Sequence, residues 1–229
     1  MKKQGCAWLL PMILAAGPVL GADRLALAGA EASDGSYYTY AGVVLPGPGY
    51  ANGRGVLQRY WIDAFGYEYA SGPGVIEADA VGAEASLGYG TSSPKGWASA
   101  WAGVRWTDTD LDPDDPGAEA RGSQVGLKVD LQGERELAPG WRGNLLASYA
   151  TEQNGYWTRG RLMRGLGTGR ALGGEIVFYG NDESSSRSLG LVFTVQPAST
   201  TWTVGFKGGY RDDSETDGIY GGIELGYGF

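Results

Sequence analysis

From Ile219 to Phe229 the chain alternates strictly between two kinds of residue. Ile219, Gly221, Ile223, Leu225, Tyr227 and Phe229 fall on one side of an extended backbone. Tyr220, Gly222, Glu224, Gly226 and Gly228 fall on the other. This period of two belongs to a β-strand, whose successive side chains point to opposite faces. An apolar face ending in an aromatic pair, opposite a face of small and charged residues, suits a strand that divides lipid from a polar interior. The same alternation recurs upstream. Trp202, Val204, Phe206, Gly208 and Tyr210 interleave with Thr203, Gly205, Lys207, Gly209 and Arg211; Leu189, Leu191, Phe193 and Val195 interleave with Ser188, Gly190, Val192 and Thr194. Val125, Leu127, Val129 and Leu131 do so with Gln124, Gly126, Lys128, Asp130 and Gln132. Glycine argues the same way: 41 of 229 residues are Gly, more than twice the roughly 7 % of an average chain, and each would cost about 1 kcal/mol against Ala inside a helix. With only 10 Pro and no triplet period, collagen is excluded.

Clusters of turn-forming residues divide the chain into twelve predicted strands, at 24–32, 36–45, 54–70, 75–90, 96–109, 121–137, 141–153, 155–166, 170–180, 187–196, 200–212 and 217–229. The fold class predicted is all-β, an antiparallel up-and-down transmembrane barrel. Backbone amides in hydrocarbon need partners, so such a sheet must close on itself. An even count puts both termini on one side. The loops at 71–74, 110–120 and 181–186, the longest and most acidic among them, then share the outer side, and the turns TSSPK, APG, GTG and PAS the inner one. Trp141, Trp202, Tyr210 and Tyr227 lie near strand ends, where rings with a polar tip form interfacial girdles.

Lys2 and Lys3 precede an apolar run from Cys6 to Leu20, followed by Gly21 and Ala22. The pattern predicts a signal peptide over 1–22, with the barrel over 23–229 and Ala26-Leu27-Ala28 as an alternative cleavage site. No later apolar stretch is long enough for a membrane helix.

Composition narrows the chemistry. There is no His, which removes Ser-His-Asp and Cys-His catalysis and His metal ligands. The lone Cys6 cannot build a disulfide framework or a zinc cluster. A net charge of -8 argues against nucleic acid as a partner. No catalytic, cofactor-binding or metal-binding residues are predicted. Charges of both signs share the interior parity: Glu84, Lys128, Asp130, Arg142, Glu175, Lys207 and Glu224, with Arg59, Asp63, Arg105, Arg159 and Arg161 beside them. They read first as ion pairs that fill and shape a barrel, although twelve strands leave room for a small channel. Trp61, Trp97, Trp101 and Trp106 lie close to Arg59, Asp63 and Arg105 in sequence. Those that point inward are candidates to stack on sugar rings, which makes Arg59, Trp61, Asp63, Trp97, Trp101, Arg105, Arg159 and Arg161 the candidate glucan-contacting set. Asp110, Asp112, Asp114 and Asp115 form an acidic outer loop; it lacks the order of ligands of a calcium-binding loop and reads as a solvated charge run. Glu77 and Asp79 read as ordinary rim charges ahead of a glycosidase pair.

The segments YYTYAGVVLPGPGYANGRGVLQRYW (37–61) and WTDTDLDPDDPGAEARGSQVGLKVDLQGE (106–134) resemble the cellulose biosynthesis protein BcsS family. The DPDDPG loop before a Gly-initiated strand is the most specific piece, supported by Gly55 to Arg59 and FGYEY (65–69). The resemblance implies an outer-membrane protein of a Gram-negative bacterium, accessory to cellulose production or export and without catalysis. Its implied surroundings are outer-membrane lipid and lipopolysaccharide, and its implied partners cellulose or the cellulose synthase machinery. A general diffusion pore and a soluble exported β-barrel or sandwich are the alternatives.

Overall fold

The computed structural model describes residues 24–71, 74–181, 184–213 and 217–229. The signal-peptide expectation for 1–22 lies outside the described residues. Twelve strands follow in order: β1 (Leu25–Ser33), β2 (Ser36–Pro46), β3 (Arg54–Ser71), β4 (Gly74–Ser93), β5 (Gly96–Asp112), β6 (Gly122–Ala138), β7 (Trp141–Ala150), β8 (Gly155–Gly167), β9 (Arg170–Gly180), β10 (Ser185–Val195), β11 (Trp202–Asp213) and β12 (Gly218–Gly228). Each pairs antiparallel with its sequence neighbour, and β1 pairs with β12, from Leu25 opposite Gly228 to Ser33 opposite Tyr220. The sheet is a closed barrel with no free edge.

Every predicted strand is present, with ends shifted by local geometry. The seventh ends at Ala150, because residues 152–154 form one 3-10 turn. The third to fifth run longer than the sequence suggests: β4 reaches Ser93 and β5 reaches Asp112. The nominal acidic loop is therefore shorter, and Asp110 and Asp112 belong to β5. They sit opposite Asp79 and Glu77 of β4, on the outward face. Glu77 and Asp79 are outward too and exposed.

The alternation sorts the barrel into two faces. Outward lie exposed apolar side chains such as Leu87, Val125, Leu131, Leu189, Leu191 and Ile219. Trp202, Tyr227 and Phe229 stack on that face near the chain terminus, with ring centroids 4.5 and 5.7 Å apart. Arg164 lies over Trp141 at 5.6 Å, and Tyr210 is exposed toward the opposite end. Aromatic bands at both ends of an apolar wall are what a bilayer selects.

The inward face explains part of the glycine excess. A Cβ on Gly42 would come within 2.1 Å of the Trp61 ring, one on Gly88 within 2.4 Å of Trp101, and one on Gly82 within 2.3 Å of Asp63 Oδ1. These glycines are sockets for the large inward side chains of the neighbouring strand.

Candidate functional site

Register places the inward side chains in layers. Toward the end away from the termini, an aromatic column climbs β2 and β3. Trp61 stacks on Tyr40 at 4.8 Å, Tyr40 meets Tyr38 at 5.7 Å, and Phe65, Tyr67 and Tyr69 continue at 6.1 to 6.5 Å spacings. All six are buried.

Below and beside the column lies a layer of charge. Arg59 bonds Glu84 through Nη2 at 2.5 Å and also bonds Asp130; Lys128 Nζ donates to Glu84 Oε2 at 2.6 Å. Arg105 grips Asp63 with two bonds of 2.7 and 3.0 Å. Arg161 donates to Glu175 at 2.5 Å and to Glu224 at 2.6 and 2.9 Å. Lys207 and Arg211 both bond Glu31. Arg159 donates to Asn144 Oδ1 at 3.1 Å and lies 5.6 Å over the Trp157 ring. Buried charges persist only when paired in this way, because each loses its hydration.

The layer is filled. Arg59, Arg159 and Glu224 are 1 % exposed, and Lys128, Glu175 and Trp157 are 2 % exposed. Water reaches almost none of their surface, so the space that twelve strands leave for a channel is occupied by side chains in this structure.

All eight predicted glucan-contacting residues point inward, but not into one site. Arg59, Trp61, Asp63, Trp101, Arg105 and Arg159 are sealed within the charge and aromatic layers. Trp106 faces outward, where its Nε1 donates to Ser123 at 2.7 Å. Trp97 lies lower, beside a cavity of about 690 Å³ that opens at the end carrying the termini. Arg161, held by its two glutamates, lines this vestibule at its inner end, and Glu134, Arg142 and Met163 line its wall. The sequence reading omitted Glu31, the hub for Lys207 and Arg211; it lies in the Ala-rich first strand, whose alternation is weak. It omitted Glu134 as well, although Glu134 shares the parity of Lys128 and Asp130.

At the opposite end the loop after β5 turns in over the aromatic cluster. Residues 113–121 fold across it, with Ala120 fully buried in the aromatic cluster. Tyr69 and Ser71 donate to Asp115 Oδ2 at 3.3 and 3.2 Å, while Asp114 pairs with Arg121 at the surface at 2.7 Å. Asp114 and Asp115 thus belong to the cover, whereas Asp110 and Asp112 stand on the outer wall. No group of three or more acidic, His or Cys side chains placed to hold a metal occurs among the described residues. In the turn after β7, burial pushes the Glu152 carboxyl up from its ordinary range.

The family described as cellulose biosynthesis protein BcsS matches residues 25–229. No curated protein matches. Among solved structures, the translocator domain of the autotransporter NalP from Neisseria meningitidis is similar with a TM-score of 0.56 at 14 % identity, covering 91 % of this chain and 89 % of its own. The β domain of the Bordetella autotransporter BrkA gives 0.55 at 13 %, covering 90 % and 99 %. The KdgM porin in complex with disordered oligogalacturonate gives 0.51 at 11 %, covering 90 % and 99 %. These likenesses concern the fold, that of bacterial outer-membrane barrels; together with the family match they support an outer-membrane location.

Proposed function

Because the chain belongs to the cellulose biosynthesis protein BcsS family, we propose that it serves cellulose production from the outer membrane as a non-catalytic barrel, holding or docking other components. The observation that carries this reading is the filled charge layer, with Arg59, Arg159 and Glu224 at 1 % exposure. A barrel occluded at this layer is suited to a structural or docking role and poorly suited to free diffusion. Its apolar wall meets outer-membrane lipid and lipopolysaccharide. Its candidate partners are cellulose and the synthase machinery, which approach from the end that bears the termini, since outer-membrane barrels turn that end to the periplasm.

A second reading, a diffusion pore, has one observation in its favour: the vestibule already leads inward from the open end. It requires the ion-paired layer to rearrange. Deletion of the gene followed by cellulose quantification tests the first reading. Cellulose yield should fall and recover on complementation with the intact chain; an unchanged yield would overturn the cellulose role.

A further inference from the structure

At the vestibule the inward residues meet open space rather than each other. Its wall is set by register: Trp97 of β5 lies opposite Glu134 of β6, Glu134 opposite Asn144 of β7, and Asn144 opposite Arg161 of β8. Neighbouring inward Cβ atoms in this cross-strand row stand about 5 Å apart; its indole, carboxylate and guanidinium line the cavity, whereas Asn144 is buried with its amide bonded to the Gly133 carbonyl and to Arg159. Met163 and Thr203 line the same cavity. Around its mouth the turns between β4 and β5, β6 and β7, and β8 and β9 are each only two residues long, and the turn 196–201 lines its rim, whereas nine residues link β5 to β6 at the opposite end.

Two features describe the ligand that fits. The charges cancel locally: Arg142 Nη1 donates to Glu134 Oε1 at 2.9 Å, and Arg161 is bound to Glu175 and Glu224. The two lining charges without an ion pair among the described residues, Glu136 and Arg170, are opposite in sign, so the wall carries no net cationic site to select an acid. The polar capacity is not exhausted, since Trp97 Nε1 has no hydrogen-bond partner and Arg142 is 55 % exposed at its side chain. An indole and a thioether offer the flat apolar surface on which the C–H face of a pyranose rests, while a carboxylate and guanidinium can accept from and donate to its hydroxyls. The volume falls in the roughly 300–1,000 Å³ range of small-molecule sites.

From the geometry we infer that this vestibule binds a short stretch of neutral β-linked glucan, with Trp97 as the stacking platform and Glu134 and Arg142 as the hydroxyl-binding pair. The choice of a β-linked glucan over other neutral saccharides rests on the cellulose reading above; the site itself rests on the geometry.

The test is isothermal titration calorimetry of the full chain, folded in detergent micelles, with cellohexaose, maltohexaose and oligogalacturonate as separate titrants. Cellohexaose should bind saturably and the other two at least tenfold more weakly. Trp97→Ala and Glu134→Gln should each lower cellohexaose affinity about tenfold or more, the second leaving side-chain size unchanged, whereas Trp106→Phe on the outer wall should bind as the parent does. Each variant is first checked for the folded barrel by its heat-dependent gel mobility. Absence of saturable cellohexaose binding, undiminished binding by folded Glu134→Gln, or a preference for maltohexaose or the acidic oligosaccharide would overturn the inference. Cellulose yield on deletion is read separately, so a fall in yield without cellohexaose binding sinks the site and leaves the cellulose role standing.

Discussion

At the scale of single residues, the interior is governed by volume and by charge pairing together. An inward Trp or Arg can occupy its place because the facing strand offers Gly at the matching register, as Gly42 does for Trp61 and Gly88 for Trp101. Gly42→Ala, whose Cβ would lie 2.1 Å from the Trp61 ring, should destabilise the barrel by about 1–3 kcal/mol, the usual cost of overpacking. Urea unfolding in micelles, followed by tryptophan fluorescence, measures it. Gly140 is a useful contrast: it has open space around it but a φ of +76° in the turn before β7, so Ala there is strained by the backbone instead of by a neighbour. The charges obey a different rule. Glu224 receives Arg161 and lies 3.7 Å from Lys207, so it is held by its hairpin neighbour β11 and by β8, which is distant in sequence and meets it across the barrel interior.

At the scale of elements, β3, β4 and β5 rise beyond their neighbours at the end away from the termini, β3 carries the upper rings of the aromatic column there, and residues 113–121 fold over it. The cover is pinned by few contacts, chiefly Ala120 in the cluster and the bonds from Tyr69 and Ser71 to Asp115. Asp115→Ala removes both bonds. Each such bond contributes about 1 kcal/mol, so the cover should open more often and limited proteolysis of the micelle-folded barrel should cut within 113–121 several times faster than in the parent. The remaining strands should stay protected, since their backbone is tied on both sides by ladder bonds.

At the scale of the whole molecule, the barrel is a closed wall around a filled layer, with a vestibule at one end and a cover at the other. The intact chain should therefore show no steady ion conductance in planar bilayers. Replacing Arg59 and Glu84 together by Ala removes a matched pair from the layer, leaving Lys128 within 3.9 Å of Asp130. That double variant should open a water path and give resolvable conductance steps. Steady conductance by the parent would instead favour the diffusion-pore reading.

The sequence by itself determined the strands, their number and which face each side chain takes, because a period of two is a local property that any stretch of five or six residues displays. Lys207, Glu224 and Arg161 could be assigned inward, and Trp202 and Tyr227 outward, without knowing any neighbour. Tertiary structure alone decided what the interior does. Trp61, Trp97 and Trp101 share one parity, yet two are sealed and one faces a cavity. The difference is height along the barrel, which depends on register accumulated across several strands. Glu31 could not be ranked from its Ala-rich segment, because its importance comes from β11 reaching across β12 to it. Whether a barrel is open likewise depends on how summed side-chain volumes meet a closed circumference, and no single strand contains that quantity.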